Sequence, residues 1–245
     1  MVYLKVPVPM VPRISVASLP ICSKIKQRRS LLESDGTPAP FIPCSSSSST
    51  QPSHSNTASS SAMRPDKFFF YSRSKDVRPG RGVNEWITDP GLYESLQAIP
   101  DWRRVLSNFH IAPFVYDGFT FNSIEHAFQA AKIRLANPEL AFRFTVESGT
   151  EIGLGDGVIA QQNRQVAFLD SAQIQHWDSI KDEVMKAAAY EKYASCELAR
   201  KVLLATGSAE LWHGVPRGKP VRFLHLEEIR EYLRAREDAE ASAEL

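Results

Sequence analysis

The sequence predicts a mainly α domain with a small β element near its start. Two observations carry this prediction. From Ile124 onward apolar residues recur at helical spacing in successive segments, whereas alternating or turn-bounded apolar runs are confined to the stretch from Phe68 to Phe121. The first 62 residues show neither pattern. The 245 residues suffice for one domain of about 150–200 residues with tails. We therefore divide the chain into a leader at 1–62, a domain at 63–236 and a disordered tail at 237–245.

The leader is punctuated by Pro7, Pro9, Pro12, Pro20, Pro38, Pro40 and Pro43, and a serine tract runs from Ser45 to Ser49. Such a segment cannot bury enough apolar surface to offset its ordering entropy, so disorder is expected. Glu33 and Asp35 are its carboxylates, against Lys24, Lys26, Arg28 and Arg29 among its cations. An organelle transit peptide has this composition; the alternatives are a plain disordered leader, or an upstream start with Met63 as the true one. Prolines interrupt its apolar stretch, which argues against a secretory signal. The expected location is cytoplasmic, or plastid or mitochondrion if the leader is a transit peptide.

Phe68 to Tyr71 read as a short strand, and Ser72 to Gly91, with Pro79, Gly80 and Gly82, as a loop. Ile111 to Val115 and Phe119 to Phe121 flank Asp117-Gly118, a hairpin turn signal. Asn122 or Ser123 can cap a helix starting at Ile124, whose stripe is Ile124, Ala127, Phe128 and Ala131. Further helices are expected over Pro138–Val146, Ala160–Phe168, Asp178–Tyr193, Ser195–Thr206 (stopped by Gly207) and Leu226–Arg236.

Hydrophobic residues at 43%, charged residues at 23% and a net charge of +1 fit a soluble globular protein, not one held to nucleic acid by bulk charge. No apolar run approaches the roughly 18 residues of a membrane helix, so no membrane association is expected. Cys22, Cys44 and Cys196 are too few and too scattered for a disulfide framework. His54, His110, His126, His176, His213 and His225 form no metal-binding pair, and no metal site is expected.

Four segments could carry chemistry. Glu125, Gln129 and Lys132 stand at i, i+4 and i+7 and share one helix face. A carboxylate, an amide and an ammonium in that row could hold a ribose and act at its anomeric carbon; the same spacing fits a solvated face with an ion pair. Leu106-Ser107-Asn108-Phe109 could form a ligand-contacting turn or a plain strand entry. Gly153, Gly155 and Gly157 could bring backbone amides to phosphate or mark a bare loop. Trp177, placed just before a helix, could stack on a flat heterocycle or staple the helix start.

Taken in order, Phe69-Phe70-Tyr71, Leu106-Ser107-Asn108-Phe109, Pro113-Phe114, Asp117-Gly118, Ser123-Ile124-Glu125-His126, Gln129-Ala130-Ala131-Lys132, Trp177, Lys181, Val184-Met185, Lys192 and Leu203-Leu204-Ala205-Thr206-Gly207 resemble the NADAR (YbiA-like) superfamily. The resemblance covers about residues 68–236. It implies a compact, multihelical YbiA-like fold. It also implies an N-glycosidase cleaving ribose from an amine or base nitrogen, on phosphorylated riboflavin intermediates or on ADP-ribose attached to nucleobases. The partner is then a ribosyl or ADP-ribosyl small molecule, or an ADP-ribosylated nucleobase in nucleic acid, with no cofactor. Glu125 and Lys132 match the catalytic motif positions, and Asn108, Phe109, Gln129, Trp177 and Lys181 match positions around the ligand.

One departure follows Gly207. Where many members carry Asp-x-x-Trp-Gly, this chain reads Glu210 to Phe223 without that motif. His213, Arg217 and Arg222 become candidates for positions near the ligand, and the two arginines with Lys219 would suit phosphate oxygens; a solvated basic loop is the alternative. Glu125 is then an electrostatic stabiliser or general base. Lys132 orients the ribose or attacks an opened sugar as a Schiff-base nucleophile. His126 or His213 supplies the leaving group's proton. A noncatalytic ADP-ribose or nucleotide-binding module is the rival class; release of free base would tell the two apart.

Overall fold

The structure is a computed structural model that describes residues 64–215 and 218–243. The leader at 1–62 and Arg217 lie outside the described residues.

Strand β1 (Lys67–Phe70) buries Phe68, Phe69 and Phe70. The loop after it is organised by one carboxylate: Glu85 accepts hydrogen bonds from the amides of Gly80 and Gly82 at 3.0 and 2.9 Å. It also accepts from Arg103 Nε at 2.6 Å and Nη2 at 2.7 Å. Arg103 belongs to α2 (Trp102–Val105), which follows the single turn α1 (Glu94–Gln97). This pair is withdrawn from water on both sides.

Strands β2 (Phe114–Tyr116) and β3 (Phe119–Phe121) form the expected hairpin. Asp117 and Gly118 both take positive φ, +51° and +82°. That geometry matches the twist of an antiparallel pair and explains the Asp-Gly signal.

Helix α3 (Ile124–Arg134) buries Ile124, Ala127, Ala130, Ala131 and Ile133. It packs against α4 (Pro138–Phe142), α6 (Gly157–Gln162) and α7 (Ser171–Ser195). Phe128 lies against Trp177 early in α7, Gln173 Nε2 donates to the Leu135 carbonyl, and Asn108, whose carbonyl binds the first turn of α3, reaches Met185. Thus α7 runs antiparallel along α3. Helix α8 (Glu197–Ala205) ends at Gly207 with φ +60°.

The small β element at the start of the domain gains two further strands from later in the chain. β4 (Glu210–His213) pairs in parallel with β1, and β5 (Val221–Arg222) pairs antiparallel with β4. The segment after α8 thereby closes on the first strand of the domain.

Four helix boundaries are corrected. The helix expected over Pro138–Val146 stops at Phe142, and a separate 3-10 turn covers Val146–Ser148. The one expected over Ala160–Phe168 lies at Gly157–Gln162, because Asp156 caps it by accepting from the amides of Val158 and Ile159. That expected at Asp178 begins at Ser171, where Asp170 and Gln173 form a capping box. Trp177 is therefore inside α7. Finally, α9 spans Leu224–Ala243 and includes most of the segment expected to fray. Its last turns are alanine-rich, and Arg236 pairs with Glu240 one turn on, both favourable to helix without tertiary support. No helix among the described residues is long and apolar enough to cross a membrane.

Candidate active site

Glu125 occupies the first turn of α3, and its backbone amide donates to the Asn108 carbonyl at 3.1 Å. This contact fixes the Leu106–Phe109 turn to the start of the helix. The turn is held from behind as well. Lys192, wholly buried in α7, donates from Nζ to the carbonyls of Val105 and Ser107 at 2.7 and 3.1 Å. Tyr193 donates from its hydroxyl to the Leu106 carbonyl at 3.2 Å. Three successive carbonyls are thus satisfied by two neighbouring α7 residues.

The Glu125 face of α3 is not solvated. Glu125, Gln129 and Asn108 are 7%, 6% and 7% exposed. Gln129 Nε2 donates to Glu125 Oε1 at 2.8 Å, and Asn108 Nδ2 contacts Met185 Sδ at 3.3 Å. The amide oxygens of Asn108 and Gln129 are buried without a partner among the described residues. Burial pushes the Glu125 carboxyl above its ordinary value; the Gln129 amide and the charge of Arg164 act the other way but do not cancel it.

Lys132, one turn beyond Gln129, is half-buried, and its side chain makes no hydrogen bond or ion pair among the described residues. Phe109 is half-buried where the start of α6 meets it: a Cβ on Gly157 would sit 2.4 Å from the Phe109 Cα. Gly153 is pressed equally closely against the Thr145 carbonyl. Gly153 and Gly157 are therefore both held in close packing, where a side chain would not fit.

Several candidates lie apart from this cluster. His126 is fully buried, with Nδ1 2.8 Å from the Ser123 hydroxyl and Nε2 2.9 Å from the Ile152 carbonyl. It locks α3 to α5 (Glu151–Leu154) and is a packing residue, contrary to expectation. Trp177 meets the Phe128 ring edge-on at 4.8 Å, so its ring is largely spent on the helix interface. Lys181 points outward and pairs with Asp178 at 2.7 Å. His213 stacks on Phe223 at 4.8 Å and sits edge-on to Phe70. Burial lowers the pKa of both His126 and His213, which favours the neutral imidazole and weakens either as a proton source. Arg222 is bound by Glu210 and Glu227, both at 2.8 Å, and so clamps β5 instead of offering a free phosphate site. Arg217 is outside the described residues.

Two depressions, of about 270 and 70 Å³, are lined by Asp76, Val77, Arg78, Gln97 and Trp102 and by residues of the Phe69–Val83 stretch with Arg103. None of the candidate site residues lines either. Arg164, whose charge reaches Glu125, had no signal in the sequence. Met185 and Lys192 stood among the quoted motifs without a role, because a lysine on a helix reads as solvated.

Fold and site together define an α-rich domain with a buried carboxyl that accepts a hydrogen bond from a buried amide. Residues 98–219 match the NADAR domain, and the chain belongs to the NADAR superfamily. Among solved structures it is similar to the NMR structure of the E. coli protein YbiA, with 25% identity over 55% of this chain and 80% of that one and a TM-score of 0.42. Comparison with curated proteins gave no match.

Proposed function

We propose that the protein is an N-glycosidase that hydrolyses the bond between a ribose, phosphorylated or ADP-ribosyl, and an amine or base nitrogen. The observation that carries this reading is Glu125, a buried carboxyl with a raised pKa, hydrogen-bonded by the buried Gln129 amide. Its placement suits a reaction that builds positive charge at the anomeric carbon. The C1′–N bond breaks with its electron pair leaving on nitrogen, which needs a proton. With His126 locked and His213 depressed, the Glu125 carboxyl is the better donor. The carboxylate so formed stabilises the oxocarbenium ion and takes a proton from the water that adds to C1′. Lys132 lies on the same face, where it orients the sugar or, as a free amine, adds to its opened aldehyde.

The test is a panel of N-ribosyl compounds, both phosphorylated riboflavin precursors and ADP-ribosylated bases, incubated with the full chain. Mass spectrometry should find free base and free sugar in equal amounts. Tight binding with no release from any compound would replace this reading with that of a noncatalytic binding module.

A further inference from the structure

The larger depression, about 270 Å³, is lined by Asp76, Val77, Arg78, Gln97 and Trp102, none of which belongs to the Glu125 cluster. Asp76, Arg78 and Gln97 are exposed, and their side chains make no hydrogen bond or ion pair among the described residues. Trp102 is the buried wall, 1% exposed. Its indole N–H is buried and has no acceptor among the described residues. An indole nitrogen only donates, and native proteins rarely leave such a buried donor unmatched.

The depression is held in shape by α2 itself. Arg104 Nε donates to the Ser74 carbonyl at 2.9 Å, and Arg103 donates to the carbonyls of Val77 and Arg78 at 2.5 and 3.1 Å. Two consecutive arginines thus pin the Asp76–Arg78 rim to the helix that carries Trp102. The Arg103 guanidinium also lies over the Trp102 ring, 4.1 Å from its centroid, and Phe68 meets that ring at a steep angle at 5.0 Å. Asp101, at φ +53°, makes the bend between α1 and α2 that leaves Gln97 and Trp102 on one depression. A site fixed in this way loses little freedom when a ligand arrives.

We propose that this depression binds a free α-amino acid, at a site separate from the Glu125 cluster. The ligand's carboxylate pairs with the Arg78 guanidinium and accepts from Trp102 Nε1, and its ammonium pairs with Asp76. One unpaired cation and one unpaired carboxylate share the rim, so the matching ligand carries both signs. A plain anion would meet Asp76 as a like charge, and a plain cation would meet Arg78. Size points the same way. At roughly 30 Å³ for each water displaced, the volume holds about nine non-hydrogen atoms. That is room for an amino acid and far too little for an ADP-ribosyl group.

The experiment follows the indole N–H signals of the nitrogen-labelled full chain by NMR while each of the common L-amino acids is added to millimolar concentration. Trp102→Phe assigns the signal. At least one amino acid should move the Trp102 signal downfield as the N–H gains an acceptor, and calorimetry should then give one site per chain. The methyl ester of that amino acid lacks the carboxylate and its N-acetyl derivative lacks the ammonium; each should bind about tenfold more weakly, or worse. Arg78→Gln and Asp76→Asn change exposed side chains that the fold does not use, and each should weaken the parent amino acid to about the same degree. Should Trp102→Phe fail to fold, calorimetry on the wild type and these two variants decides. No shift with any amino acid, the result expected where only a water meets the indole, would overturn the inference. Derivatives that bind as the parent does, or variants that bind as the wild type does, would overturn it equally.

Discussion

Gln129 Nε2 lies 2.8 Å from Glu125 Oε1, one helical turn away, and this bond leaves the Gln129 oxygen buried and unpartnered among the described residues. A carboxylate held this way is costly to ionise: one amide donor does not replace the water lost on burial, and the carboxyl stays above its ordinary value. Such a group is well suited to carry a proton to a departing nitrogen.

Glu125→Gln should therefore lose activity and gain stability. Turnover should fall roughly a hundred- to a thousandfold, the usual loss of an ion-stabilising contact. The folded state holds the Glu125 proton to higher pH than the unfolded state does. Stability contributed by this group is present below the ordinary carboxyl pKa and is lost as pH rises through the raised one. Glutamine never ionises, so the variant should melt higher at pH 7, by about 2–4 °C for each kcal/mol recovered. If wild-type Glu125 acts first as an acid, kcat should also fall as pH rises through the same raised pKa. An unchanged rate in Glu125→Gln would move the catalytic assignment elsewhere.

Lys132→Met should leave the fold intact, since the side chain is half-buried and makes no polar contact among the described residues that the change would break. Turnover should drop tenfold or more, to order of magnitude. Borohydride added during wild-type turnover separates the two possible roles. A reduced adduct on Lys132 identifies a Schiff-base nucleophile, and recovery of unmodified protein with the same loss in the variant identifies an orienting group. Wild-type rates in Lys132→Met would remove it from the site.

Glu85→Ala should be strongly destabilising without touching the site. Its carboxylate is fully buried against Arg103 and also receives the Gly80 and Gly82 amides. Removing one partner strands a guanidinium in the interior, at a cost of about 3–5 kcal/mol. Thermal melts should show a drop of about 10 °C or more. Combining it with Arg103→Met should recover part of the loss, because no buried charge then remains unmatched. A melting temperature within a degree or two of wild type would show that the loop does not depend on this pair.

These residues show what the sequence makes legible. The Asp117-Gly118 hairpin and the α3 stripe are local patterns, and both appear where spacing puts them. The start of α7 was missed although Asp170 and Gln173 spell a capping box, because its first turns are solvated and carry no apolar stripe. Strands β4 and β5 were missed because they are short and β4 pairs with β1 from the other end of the domain. At the site, helical spacing links Glu125 to Gln129, but a polar face reads as solvent-facing, and only the packing of α6 and α7 on α3 explains its burial. Lys181 shares the helix with Trp177 yet turns outward to Asp178, a choice of rotamer that spacing does not encode.

Lys192 is the buried cation that the site depends on from behind. It has no carboxylate partner among the described residues, and burial brings its pKa down to about 7 from an ordinary 10.5. Between those values the unfolded chain binds a proton that the folded chain does not, so stability rises with pH across that window. Below about pH 7 both states are charged, and the contribution of this group is at its least. Melting or denaturant midpoints measured from pH 7 to pH 9 should therefore climb in the wild type. Lys192→Met should flatten that climb, because methionine does not titrate. The variant also leaves the Val105 and Ser107 carbonyls without their donor, at about 1–3 kcal/mol for each buried acceptor, while it escapes the cost of burying a charge. The two effects oppose each other at pH 7, and the second fades as pH rises. The gap between variant and wild type should therefore widen toward pH 9. Since the freed carbonyls flank Leu106, just ahead of Asn108, affinity for ribose 5-phosphate should also weaken even where the fold survives. Parallel stability curves for the two proteins would mean that Lys192 keeps its charge in the folded state across this range.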